Sequence, residues 1–189
     1  MAIEDKWYKS IIAGIAIALG GWMYVMAPTP IVGAFIFSCG LMCVRIYGLN
    51  LFTGKIQYMV SKVYKWTDYL IFFIGNLIGV GMIAIISRIT LNSTNITFIA
   101  SSKASQPFFI ALAKGLGCGA LMSIATYKNS PLWICIPCVM GFILGGFNHC
   151  IADAYYYMAG GTISFSFIAT VIGNICGGII LTNLNRDGQ

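Results

Sequence analysis

His149 is the only histidine in the sequence, with Asn148 before it and Asp153 four residues later, all within a strongly apolar stretch. An imidazole titrating near neutrality can give a proton to a passing weak-acid anion and recover it afterwards. On a helix Asp153 shares a face with His149, so its charge would bear on the ring's protonation. Ionisable groups among membrane-type residues mark substrate or proton paths by default; a histidine satisfied by its neighbours is the structural alternative. Phe37 and Leu41 lie one turn apart and Phe142 two turns before His149, the residue types of an apolar constriction and equally of a packed core. An apolar constriction rejects a bare anion far more strongly than the neutral acid. An anion also needs a cation at the mouth of its path. Lys103, in the polar run Ser101–Ser105, and Lys114 both qualify, and spacing does not separate them.

The elements that must position these groups lie in a bilayer. Hydrophobic residues make up 59% of the 189 residues and charged residues 8%, with a mean hydropathy of +0.86, far from the composition of soluble domains. Runs long enough to cross hydrocarbon are expected at 8–27, 31–51, 67–88, 107–127, 131–151 and 163–183. The first run lacks a small-residue cleavage site and is expected to stay as helix one. With the N-terminus inside, Lys6, Lys9, Lys55, Lys62, Lys65, Lys128 and Arg186 fall on cytoplasmic segments, against Arg88 and Lys103 outside. The positive-inside rule then sets both termini in the cytoplasm. Trp7, Trp66 and Trp133 would sit at the cytoplasmic headgroup level. The net charge of +6 is read as topology signal and attraction to the lipid bilayer; with no clustered basic patch, nucleic acid is not an expected partner. The seven cysteines fall inside apolar runs, where they pack as small hydrophobes. The sequons at Asn92 and Asn95 carry no weight.

Gly48-Leu49-Asn50 and Gly146-Phe147-Asn148 lie 98 residues apart, as do Gly75-Asn76 and Gly173-Asn174, and Gly79 and Gly177. A duplicated unit of three spans must insert its second copy from the opposite side, giving inverted repeats over about 7–90 and 105–185 with a site at the midplane. The polar Gly-x-Asn motifs near the ends of the second and fifth spans read as helix breaks, whose freed backbone is tolerated only inside protein or along a cavity. Asn50 and Asn148 are expected at those breaks, as caps or as pore groups. Asn76 and Asn174, each between glycines four apart, are expected mainly to bond the neighbouring broken helix where small residues allow close approach, with pore lining as the lesser reading.

Taken together, these motifs resemble the formate/nitrite transporter family, pentameric channels with an aquaporin-like inverted-repeat fold that pass small monovalent anions and their weak acids. The resemblance runs through Ala13-Gly14 to Gly20, Gly40-Leu41 to Gly54, Gly75-Asn76, Gly146 to Asp153 and Gly173 to Gly178. It implies an all-α membrane protein of six transmembrane helices, with His149 as central proton donor, Thr53 as the break threonine and Lys103 rather than Lys114 as the vestibule lysine. Phe37, Leu41, Leu51 and Phe142 become the constriction residues. It implies a homopentamer and a small anion as substrate, with no cofactor or metal. Three positions depart from the family pattern: Asn50 and Asn148 replace acids, and Asp153 replaces an asparagine. A fourth-helix asparagine is expected to be lost at Gly119, removing a donor near His149 and widening the passage. The chain is shorter than typical members, so gating by a long N-terminal segment is not expected.

Two other function classes compete with this reading. A channel for a small neutral solute such as urea or ammonia is favoured by the uncharged Asn50 and Asn148. An intramembrane enzyme or metal site is disfavoured, because one histidine supplies too few ligands for a usual catalytic zinc and neither His-Glu-x-x-His nor Gly-x-Ser-x-Gly occurs.

Overall fold

The computed structural model describes residues 2–91 and 94–184, with side chains described as far as residue 181. Asn92 of the first sequon and Arg186 of the charge bias lie outside the described residues. Nine α-helices occur among the described residues: α1 (Ile3–Met26), α2 (Pro30–Ile46), α3 (Phe52–Lys55), α4 (Trp66–Thr90), α5 (Thr94–Ala104), α6 (Phe108–Thr126), α7 (Cys135–Leu144), α8 (Cys150–Gly160) and α9 (Ser166–Leu184). Three of them, α1, α4 and α6, are long and apolar enough to cross a membrane; the stretches 30–46, 132–144 and 166–181 are apolar but shorter.

The spans expected at 31–51 and 131–151 end earlier, at Ile46 and Leu144. Both ends close in the same way. Gly48 (φ 59°) and Gly146 (φ 66°) adopt the left-handed conformation, open to glycine without the Cβ clash other residues meet. Leu49 N–H then donates to Val44 O and Gly48 N–H to Arg45 O, while Phe147 N–H donates to Phe142 O and Gly146 N–H to Ile143 O. This six-to-one and five-to-two pair is the Schellman closure, which satisfies the last carbonyls of a helix. After each closure a short segment leads into a further helix, α3 or α8. Helix α5, where a polar outer loop was expected, packs against α8.

The long helices pack in two tight pairs, α1 on α4 and α6 on α9. Glycine makes both crossings close: a Cβ at Gly14 would collide with Asn76 O, and one at Gly79 with Ile11 O. In the second pair a Cβ at Gly119 would collide with Asn174 O, and one at Gly177 with Leu116 O. Gly119 therefore does not widen a passage beside His149. It faces the α9 backbone, as Gly14 faces α4. Gly14 and Gly119 stand 105 residues apart, not 98, so the chain from the first helix of the pair to its break is seven residues shorter in the second copy while the helix crossing is the same.

Candidate functional site

Asn76 and Asn174 hold the two segments that follow the closures. Asn76 Nδ2 donates to Ser10 O at 2.7 Å and Asn50 O at 2.9 Å, while its Oδ1 accepts from Phe52 N at 2.8 Å. Asn174 Nδ2 donates to Gly115 O and Asn148 O, both at 2.8 Å, and its Oδ1 accepts from Cys150 N at 2.8 Å. Both side chains are buried, so freed backbone that no water reaches is satisfied by an amide with one acceptor and two donors. A further equivalent bond ties each segment to the first helix of its pair: Asn50 N to Lys9 O and Asn148 N to Lys114 O, each at 3.3 Å.

The side chain of Asn50 adds only a long contact from Nδ2 to Lys6 O, 3.5 Å. Asn148 has a different role. Its Oδ1 accepts from Lys103 Nζ at 3.0 Å and its Nδ2 donates to Gln106 Oε1 at 2.7 Å. Lys103 Nζ also pairs with Asp153 Oδ1 at 2.8 Å. Asp153 Oδ2 is buried without a hydrogen-bond partner among the described residues. The expected influence of Asp153 on His149 gives way to this ion pair, made because α5 brings the lysine to the first turn of α8. Lys114 lines the same cavity, of about 210 Å³, as Lys103, Gln106, Asp153 and Phe142. Gln106, which the sequence does not single out, has as its one signal there its place between Lys103 and Pro107.

His149 occupies the N-cap of α8, and its Nδ1 accepts from Ala152 N at 3.1 Å. Such a bond satisfies one of the orphan N–H groups of a helix start. Because a backbone N–H only donates, Nδ1 is unprotonated and the ring proton is assigned to Nε2 from this network. Nε2 lies 2.8 Å from Thr53 Oγ1, so one hydrogen bond joins the two broken segments. Phe142 stacks on the His149 ring with centroids 5.6 Å apart and an interplanar angle of 21°, and meets Phe37 edge-on at 5.8 Å. Phe37, Leu41, Leu51, Thr53 and His149 are each 1% exposed and Phe142 is 4% exposed. Phe142 also lines the cavity holding Lys103, whereas Leu51 lines a second cavity of about 500 Å³ with Arg45, Lys55, Tyr64 and Lys128. The expected constriction residues thus lie in or beside a buried zone with one cavity at Phe142 and another at Leu51.

Comparison with known proteins gives relatives of one kind. Formate channel FocA of Haemophilus influenzae is 26% identical over 179 residues, covering 78% of this chain and 63% of that protein. Formate channel FocB of Escherichia coli is 23% identical over 178 residues, covering 82% and 60%. A probable formate transporter of Methanothermobacter thermautotrophicus is 25% identical over 232 residues, covering 90% and 83%. The chain therefore spans under two thirds of the length of two of these relatives. Among solved structures, a pentameric formate channel with formate bound superposes with a TM-score of 0.79 at 24% identity, covering 95% of this chain and 94% of the other. The formate/nitrite transporter family model matches residues 1–185, and the chain belongs to that family of membrane proteins.

Proposed function

We propose that the chain forms a channel for small monovalent anions or their weak acids, of the formate, nitrite or hydrosulfide class. The observation that carries this reading is the buried His149–Thr53 contact, with Phe142 stacked on the ring and lining one cavity and Leu51 and Gly54, on either side of the threonine segment, lining another, both cavities having lysine side chains in their walls. In the proposed architecture six transmembrane helices form two inverted three-helix repeats in one domain, about 7–90 and 105–185. Both termini face the cytoplasm, five chains associate, and each chain carries its own path. The relatives named as formate channels and the bundle shared with a pentameric formate channel support it.

In this mechanism Lys103, positioned by Asp153 and Asn148, receives the anion in the outer cavity as a hydrogen-bond donor, and Lys114 on the same wall adds a cation. Phe142, Phe37, Leu41 and Leu51 exclude water and larger ions, so an anion crosses with least cost when a donor accompanies it. The Nε2–H of His149, steadied by Thr53, supplies that donor. Full proton transfer to the anion requires the ring to take a second proton at Nδ1, and this displaces the Ala152 N–H; the first turn of α8 is thus coupled to the proton cycle. Asn76 and Asn174 hold the breaks and stay off the path.

Proteoliposome flux of formate, nitrite and hydrosulfide between pH 5 and 8 tests the proposal. At least one anion is expected to move faster than through empty vesicles, with a pH dependence that His149→Phe removes. Rates equal to those of empty vesicles for all three anions would overturn the channel reading. A pH profile unchanged in His149→Phe would overturn the histidine step alone.

A further inference from the structure

The second cavity is unlike the first in size and in charge. At about 500 Å³ it is more than twice as large and falls within the range of small-molecule sites. Arg45, Lys55 and Lys128 line it, and no carboxylate stands among its described lining residues; in the smaller cavity Asp153 offsets Lys103. Two of these three cations are held rather than loose. Arg45 donates to Ser130 O at 2.6 Å and Pro131 O at 3.1 Å, neutral carbonyls that leave its charge in place. Lys55 Nζ donates to Tyr64 Oη at 3.2 Å and lies 5.4 Å from that ring's centroid. Lys128 stands exposed. Fixed like charges on a concave apolar wall focus field on a bound anion, and that attraction grows with the anion's charge. Its lining includes Leu51, 1% exposed, a floor too closed for a polyatomic multivalent anion.

We infer that this cavity is a binding site for a small multivalent anion of the phosphate or diphosphate class, which rests on Leu51 and blocks the path instead of crossing it. The inference builds on the channel reading for its effect and on the cavity alone for binding, so the two are tested separately. Calorimetric titration of inorganic diphosphate into the protein in nanodiscs, at constant ionic strength set with sodium chloride, should give saturable binding. Lys55→Gln and Lys128→Gln should each weaken it about threefold and the double variant at least tenfold, whereas Lys103→Gln, in the other cavity, should leave it within twofold. In vesicles that pass formate, diphosphate should inhibit with the same ranking of the parent, Lys55→Gln, Lys128→Gln and the double variant. Absent binding, or binding insensitive to Lys55 and Lys128, would overturn the site even where formate flux is normal. Binding without inhibition would overturn the block. Vesicles that pass no formate would count against the channel reading while the nanodisc titration still decides the site.

Discussion

The two broken segments share a framework and differ in what they carry. Each begins with a left-handed glycine, bonds its backbone to a lysine carbonyl of the first helix of its pair, and is clasped by one asparagine that makes two hydrogen bonds to the segment and a third to that first helix. At the N-cap position of the following helix the first has Leu51 and the second His149. Two residues further on they have Thr53 and Ile151, and the two polar members of these four meet across the repeat at 2.8 Å. The same framework occurs twice, and the proposed mechanism needs only one donor and one partner where the two segments meet. The asymmetry continues outward, since Asn148 joins Lys103 and Gln106 while Asn50 reaches only a distant carbonyl.

Breaking the shared framework should have the largest effect, and an equal one in both copies. Asn76→Ala and Asn174→Ala each leave two buried backbone groups of a broken segment, one carbonyl and one N–H, without that partner, and each such group costs about 1–3 kcal/mol. A loss of about 4 kcal/mol per variant is expected on that basis, read as a lowered unfolding temperature in detergent. If one substitution were tolerated and the other not, the equivalence of the breaks would fail. Gly14→Ala and Gly119→Ala form a second matched pair. Each places a methyl group against an asparagine carbonyl, and overpacking of this kind costs about 1–3 kcal/mol.

Much of this framework was legible before any coordinates, because glycine and asparagine have few other reasons to recur at a fixed step in an apolar chain. The step of 98 located both breaks and both clasping asparagines. It did not show that the first helices are related by 105, since Lys9, Ser10 and Lys114, Gly115 contribute backbone carbonyls, and a carbonyl leaves no mark on residue type. Gly119 differs from its expectation for a similar reason: residue type does not say which side of a helix is crowded, and the tight backbone lies on the α9 side and not beside His149. The Lys103–Asp153 pair depends on α5, a helix of mixed polarity without the apolar periodicity that would have announced it. The large basic cavity gathers cations from three separate stretches that no local pattern connects.

Sharpening the difference between the breaks calls for the carboxylate. Asp153→Asn leaves Lys103 without its anionic partner. Breaking a buried pair costs about 3–5 kcal/mol, and because Lys103 is partly exposed at the cavity and keeps Asn148 the expected cost is about 2 kcal/mol. Asn148→Asp in the same chain should restore most of the unfolding temperature, since its Oδ1 already lies 3.0 Å from Lys103 Nζ. An additive second loss would show that the position of the acid, and not its pairing with Lys103, is what the fold requires.

The smallest expected effect lies at the point where the two breaks touch. Thr53→Val keeps the shape of the side chain and removes the acceptor for His149 Nε2–H, at a cost of about 1 kcal/mol. Thr53→Ser retains the hydroxyl and should fall within about 0.5 kcal/mol of the parent. The counterpart Ile151 carries no polar group, so Ile151→Val should change stability by about 1 kcal/mol through lost packing alone and leave the pH profile of anion flux unmoved. Stability therefore does not separate Thr53→Val from Ile151→Val, and the pH profile does. With no acceptor at Thr53 the ring proton has only the permeating anion to meet, so the profile should move in Thr53→Val, stay in Thr53→Ser and stay in Ile151→Val. If Ile151→Val moved it as much, the polar contact at the centre would be packing, and the two breaks would be alike in function as well as in framework.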